Sequence, residues 1–226
     1  MIELKGVHKA FGAKKVLQGV DLKVGRGESL VLLGASGSGK SVTLKLLLGL
    51  EKADKGKVEV AEDRIGMLFQ NAALFDSMSV WENVAFALLN NLHMDEEEAR
   101  EVAIAKLASV GLPANAADLM PADLSGGMRK RVGLARAIAD NPKILLFDEP
   151  TTGLDPIMSD IINELIIKVV KELGATALTI THDMRSARRI ADRVAMLLDG
   201  QIVWTGTPDR LSSANHQYVA DFAGRT

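Results

Sequence analysis

Residues 29–41 read SLVLLGASGSGKS, and this stretch decides the fold. SLVLLG (29–34) is almost continuously apolar, the pattern of a strand covered on both faces. SVTLKLLLGL (41–50) continues as a helix. Between them residues 34–41, GASGSGKS, match G-x-x-x-x-G-K-[ST] in full, in the strand–loop–helix context that motif requires. Gly34, Gly37 and Gly39 let backbone N–H groups converge on phosphate oxygens, and the start of the next helix favours anions. Ala35, Ser36, Ser38 and Val42 complete the expected nucleotide-binding stretch. Lys40 is expected at the β- and γ-phosphates, and the Ser41 hydroxyl on Mg²⁺. The plainer reading is a glycine-rich turn before a helix.

Working outward, IELKGV and VLQGVDLKV alternate apolar and polar residues around FGAKK, which predicts half-buried antiparallel strands. Further buried strands are expected at IGMLF (65–69), KILLF (143–147), ATALTIT (175–181) and RVAMLL (193–198). DGQIVWTG (199–206) reads as the second half of a late hairpin. Helices are expected over 95–111, with acids in the first turn and Gly111 as a stop, and over 156–174. Alternating strands and helices predict an α/β fold with a mostly parallel sheet. An N-terminal antiparallel subdomain and a largely helical insertion near 75–140 accompany it. One cassette-sized domain, 1–226, is the expected organisation: a core with the antiparallel subdomain at 1–70 and 141–210, a helical subdomain at 71–140, and a tail at 211–226. The tail suits either a partner-contacting helix or a frayed terminus.

The 226 residues are 47% hydrophobic, enough for a sizeable core. Lys and Arg number 27 against 29 Asp and Glu, and no polybasic tail argues for nucleic acid. Cysteine is absent, which fits a reducing compartment. The opening MIELKGVHKAFG lacks the apolar core of a signal peptide, and no run approaches the roughly 18 apolar residues of a membrane span. The expectation is a soluble chain able to dock on something in a membrane.

LFDEPTTGLD (146–155) places Asp148 and Glu149 side by side where a buried strand stops. Two adjacent carboxylates repel, but a divalent cation and a polarised water can hold both at the carboxyl end of a parallel strand. Asp148 is expected to orient the Mg²⁺ shell, and Glu149 to orient the attacking water or accept its proton. An acidic solvated turn is the alternative for the acids alone.

Other segments repeat one family's order. LSGGM (124–128) looks like a signature LSGGQ; Gln70 ends MLFQ; DEP (148–150) closes the acidic strand; GLD (153–155) follows; His182 lies in ITHD; Phe11 lies in KAFG. Taken singly, Gln70 fits a surface residue, His182 a strand-end histidine, Phe11 hairpin packing and LSGG a helix N-cap. Taken together, nearly the whole chain resembles the ATP-binding cassette ATPases. The resemblance implies ATP and Mg²⁺ as cofactors. It implies catalytic roles for Glu149, His182 and Gln70, and metal contacts from Ser41, Gln70 and Asp148. Phe11 would stack on adenine. Ser125, Gly126, Gly127 and Asp155 would act on nucleotide held by a second copy, in a head-to-tail dimer. Two departures stand out: Met128 replaces the signature Gln, and the segment between Lys57 and Ile65 is short.

More finely, MLFQNAALFDSMSVWENVAFAL (67–88), LSGGMRKRVGLARAIA and DEPTTGLDPI resemble the Mla-type ATPases of bacterial phospholipid transport. That implies an integral permease, an MCE lipid-binding subunit, a small cytoplasmic accessory subunit, and a place on the cytoplasmic face of the inner membrane. The alternatives are another importer or exporter cassette, or a soluble cassette protein without a permease. An unrelated P-loop kinase fits less well, because it would lack LSGG and His182.

Overall fold

The alternating N-terminal pattern forms β1 (Ile2–Phe11) and β2 (Lys14–Val24), antiparallel across a turn of only two residues. The strand runs through Phe11, so the turn is shorter than FGAKK suggests. β3 (Ser29–Leu33) is buried at every residue, and the glycine loop after it enters α1 (Lys40–Leu47). β4 (Lys55–Val60) runs into the start of the segment between Lys57 and Ile65 that the sequence marks only as shortened. Its alternation is weak, and pairing with β1 makes it a strand. Next come β5 (Ile65–Leu68), α2 (Val80–Asn90), α3 (Glu96–Ser109), α4 (Gly126–Ala137), β6 (Ile144–Asp148) and α5 (Pro156–Leu173). The chain closes with β7 (Thr176–Thr181), α6 (Met184–Ile190), β8 (Arg193–Leu198), β9 (Gln201–Gly206) and α7 (Gln217–Gly224). This computed structural model describes residues 1–62 and 64–224; Asp63 and, in the tail, Arg225 and Thr226 lie outside the described residues.

The elements form two compact units, Met1–Asp63 with Gly174–Thr226, and Arg64–Leu173. The first unit holds an antiparallel sheet in the order β2-β1-β4 and a run β7-β3-β8-β9, parallel except for the β8–β9 hairpin. Leu30, Leu32, Ile180, Val194 and Met196 are fully buried there. Continuously apolar strands are thus covered on both faces, as expected.

In the second unit β5 and β6 pair in parallel, and α4 lies close against β5. The sequence permits this through glycine. A Cβ at Gly66 would lie 2.0 Å from the Ala137 carbonyl oxygen, and one at Gly133 would lie 2.8 Å from Leu68. α3 begins where expected, because the Asp95 carboxylate accepts from the Glu97 N–H and three glutamates occupy the first turn. The architecture is the expected α/β class, parallel strands and helices with an antiparallel N-terminal sheet.

Candidate functional site

In the first unit β3 and β7 run in register, Leu33 opposite Thr181. Their carboxyl ends therefore bring the loop from Gly34 and His182 out on neighbouring strands, at the edge where open α/β sheets bind ligands. His182 is exposed, and Asp183 after it caps α6 by accepting from the Arg185 and Ser186 N–H groups. The glycine loop folds on itself: Lys40 Nζ donates to the Gly34 carbonyl at 2.7 Å and to the Ala35 carbonyl at 3.0 Å. Lys40 is only 6% exposed. Gly39 caps α1 with φ 111°, a conformation that costs other residues dearly. A Cβ at Gly39 would also meet Leu17 at 2.8 Å, so the loop packs directly on β2. α1 has no side-chain cap and no acid in its first turn, and this leaves its positive end open to an anion. Phe11 ends β1 on the same hairpin, 46% exposed, with the Lys9 ammonium 5.0 Å from its ring centroid. Lys9 is itself anchored by Glu51 at 3.1 Å and the Lys52 carbonyl at 2.9 Å.

The second unit repeats the device with other chemistry. Leu68 of β5 lies opposite Phe147 of β6, so Gln70 and Glu149 each stand two residues beyond a paired strand end. Asp148 is the last residue of β6, half-buried. Glu149 is nearly buried and adopts φ 47°, a left-handed backbone unusual for a glutamate. The Thr152 hydroxyl donates to its carboxylate at 3.0 Å. A buried lysine of α4, Lys130, donates to the carbonyls of Gln70 and of Glu149, the latter at 3.2 Å. Burial pulls the Lys130 pKa below the usual lysine value, while Asp148 and then Glu149 push back upward.

Ser125 caps α4, its hydroxyl accepting from the Met128 N–H at 3.3 Å. Gly126 and Gly127 open that helix, and a Cβ at Gly127 would come within 2.3 Å of the Met158 terminal methyl on α5. Asp155 caps α5, accepting from the Ile157 and Met158 N–H groups at 3.0 Å each. The first unit contains the loop 34–42, His182 and Phe11, and the second contains Gln70, Asp148, Glu149, Ser125, Gly126, Gly127 and Asp155; the hydrogen bonds of Lys130 bring together the Gln70 and Glu149 turns.

Sequence reasoning passed over three residues that organise these sets: Lys9, Lys130 and Arg136. Lys130 had a visible signal. It stands with Gly127, Leu134 and Ala137 at spacings of three and four, on the buried stripe of α4. A lysine on such a stripe calls for a buried partner. Arg136 donates to the carbonyls of Ala72 and Ala73 at 2.6 and 2.8 Å, and both alanines have left-handed backbone. Nothing in the local sequence announces that tie.

A self-closed glycine loop with an open helix end, together with a strand running into two acids, fits a P-loop nucleoside-triphosphate site. Residues 17–152 match the family described as ABC transporter, and the chain belongs to that family. It is 40% identical to the Protein TRIGALACTOSYLDIACYLGLYCEROL 3, chloroplastic, of Arabidopsis thaliana, over 99% of this chain and 73% of that protein. It is 39% identical to the Glutamate transport ATP-binding protein GluA of Corynebacterium glutamicum, over 100% of this chain and 98% of that protein. Among solved structures it is similar to the dimeric ATP-binding cassette MJ0796 in a post-hydrolysis state bound to ADP and Pi. The TM-score there is 0.83 at 33% identity, over 92% of this chain and 99% of that one.

The chain is accordingly an ABC-type ATPase that binds ATP with Mg²⁺. The residues present fit that cofactor. The end of α1 is uncapped, and the buried Ser38 hydroxyl beside it has no hydrogen-bond partner among the described residues. Among the described residues no helix is long and apolar enough to cross a membrane.

Proposed function

We propose that this chain is the ATP-hydrolysing subunit of a bacterial phospholipid transporter, working from the cytoplasmic face of the inner membrane. The observation that carries the lipid reading is the likeness to a relative named for a glycolipid, over almost the whole of this chain. The stretch 67–88 and the LSGGM ending of the signature support it from the residues. On this reading two copies pack head to tail and close on ATP. Lys40 and the amides of residues 34–42 hold the phosphates. Ser41, Gln70 and Asp148 would hold Mg²⁺, whose chemistry is to neutralise charge on the transferring group. Glu149 orients the attacking water or takes its proton, with His182 and Gln70 beside the transferred group. Phe11, 46% exposed, stacks on adenine. Ser125, Gly126, Gly127 and Asp155 act on the nucleotide of the second copy.

The 71–140 segment would meet the permease. Its corner at Phe75 is exposed yet rigidly built. The Asn83 side chain, fully buried, accepts from the Phe75 N–H at 2.8 Å and donates to the carbonyls of Phe75, Met78 and Ser79 at 3.0 to 3.1 Å. Phe75 also stacks on Phe86 at 4.7 Å, with the Arg136 guanidinium 5.7 Å from its ring. A prearranged aromatic with 42% of its surface in water suits an amphipathic permease helix. An MCE lipid-binding subunit and a small accessory subunit complete the proposed complex.

Reconstitution with the permease into liposomes tests the reading. ATP-dependent transfer of a fluorescent phospholipid, lost in Glu149→Gln, is the expected result. The likeness to a glutamate transport protein favours a second reading, amino-acid import. Radiolabelled glutamate uptake without lipid transfer would select it.

A further inference from the structure

The buried cation in the second unit has no part in the reading above. Lys130 is 5% exposed, and its ammonium donates to the carbonyls of Gln70 and Glu149. Those carbonyls belong to the turns that leave β5 and β6 at matched positions, two residues past Leu68 and Phe147. Lys130 stands on α4, which Gly66 and Gly133 let press directly against β5. An ammonium has three donors and no acceptor, so it can hold two peptide oxygens at once. Glu149 needs such a hold: its left-handed backbone, φ 47°, is strained for a glutamate and persists only where neighbours impose it. Thr152 supplies part of the restraint, its N–H donating to the Glu149 carbonyl at 3.2 Å. Lys130 adds a restraint from outside the turn, together with a positive charge beside two adjacent carboxylates.

We propose that Lys130 is a positioning residue for ATP hydrolysis: by tying the main-chain oxygens of Gln70 and Glu149 to α4, it sets the direction of the Glu149 carboxylate. The proposal rests on the reading of Glu149 as the group that handles the water. It also gives α4, which begins at the signature residues, a direct mechanical link to both strand-end turns.

The test uses the full chain in its transporter complex, with Lys130→Met, which fills the space and cannot donate, and Lys130→Gln, which keeps two N–H donors on a shorter arm. At saturating MgATP, kcat should fall in the order wild type, Gln, Met, with Met lower by about 10- to 100-fold. ATP affinity and the thermal midpoint of the Gln variant should stay near wild type. That split is one a merely structural residue would not give. Wild-type kcat in either folded variant overturns the proposal, as do losses that follow ATP affinity or thermal midpoint. Should Lys130→Met fail to fold, Lys130→Gln decides alone by the same split between kcat and affinity. Glu149→Gln in parallel separates the two ideas. If it hydrolyses ATP normally, the reading of Glu149 fails. If it is inactive while the Lys130 variants are unimpaired, only the positioning proposal fails.

Discussion

The two units each end a pair of parallel strands in functional turns, and they hold those turns by opposite means. In the first, the cation that closes the loop comes from the loop itself: Lys40 reaches carbonyls six and five residues away. In the second, the cation comes from another element: Lys130 lies 60 residues from Gln70 and 19 from Glu149. The difference follows from what each turn must present. Phosphate is recognised by backbone N–H groups, so glycines and a helix end suffice, and both are local. On the proposed reading the Glu149 carboxylate points at a water, which needs its backbone fixed, and a strained glutamate does not fix it alone.

Breaking the second turn should have the largest effect. Glu149→Gln keeps the shape and removes the basic oxygen. Hydrolysis should fall by roughly 10²- to 10⁴-fold while ATP still binds. Asp148→Asn should instead weaken Mg²⁺ dependence, so a Mg²⁺ titration of both variants separates the two acids. Equal binding and equal hydrolysis by both would erase the distinction. Breaking the first turn should cost nearly as much: Lys40→Ala is expected to lower turnover by about 10²- to 10³-fold, as for loss of one preorganised charge. It also opens the loop, because the bonds to Gly34 and Ala35 disappear, and so ATP affinity should fall with it.

The same contrast explains what could be read beforehand. GASGSGKS was legible because its loop, lysine and helix start are contiguous. The adjacent acids were legible as a pair, since KILLF marks the strand that ends there. What held them was not, because Lys130 acts through a fold-level contact between α4 and the ends of β5 and β6. β4 was hidden for a related reason: KGKVEV has little alternation of its own, and its strand character comes from β1. Asp155 shows a third case. Sequence order ties it to nucleotide, while its carboxylate is engaged in capping α5, and both can hold if the cap positions the turn.

Two further substitutions sharpen the comparison within the second unit. Phe75→Glu puts a charge on the exposed, preformed corner. Capture of the permease should weaken by about 2 kcal/mol, roughly thirtyfold, with ATP affinity of the free chain unchanged. An intact pull-down would move the docking surface elsewhere. Gly66→Ala attacks the contact between α4 and β5. The new methyl meets a carbonyl oxygen of Ala137, which is main chain and cannot swing away. Overpacking of that kind costs about 1–3 kcal/mol, read as a lowered urea midpoint. A midpoint equal to wild type would mean that α4 is not pressed on β5.

The smallest effect tests a local tie inside the unit otherwise held from a distance. The start of α2 is written S-x-x-E, Ser79 to Glu82. The Glu82 carboxylate accepts from the Ser79 N–H at 2.7 Å and from its hydroxyl at 2.6 Å. These bonds, the hydroxyl first and then the backbone, hold the Glu82 pKa below the usual glutamate range. Because the folded value lies below the unfolded one, the stability is present above the unfolded pKa and lost as pH falls through the folded pKa. Glu82→Gln should therefore cost about 0.5–1 kcal/mol near pH 7, since the carboxylate stands largely in water. The gap between wild type and variant should close as the solution is acidified through the lowered folded pKa of Glu82, below which both carry a neutral side chain. Urea unfolding near neutrality and in acid measures it. A gap that persists in acid would assign the effect to packing rather than to the charged cap. The two bonds to Glu82 lie within four consecutive residues, Ser79 to Glu82; turnover per folded molecule should be untouched, unlike any change at Lys130.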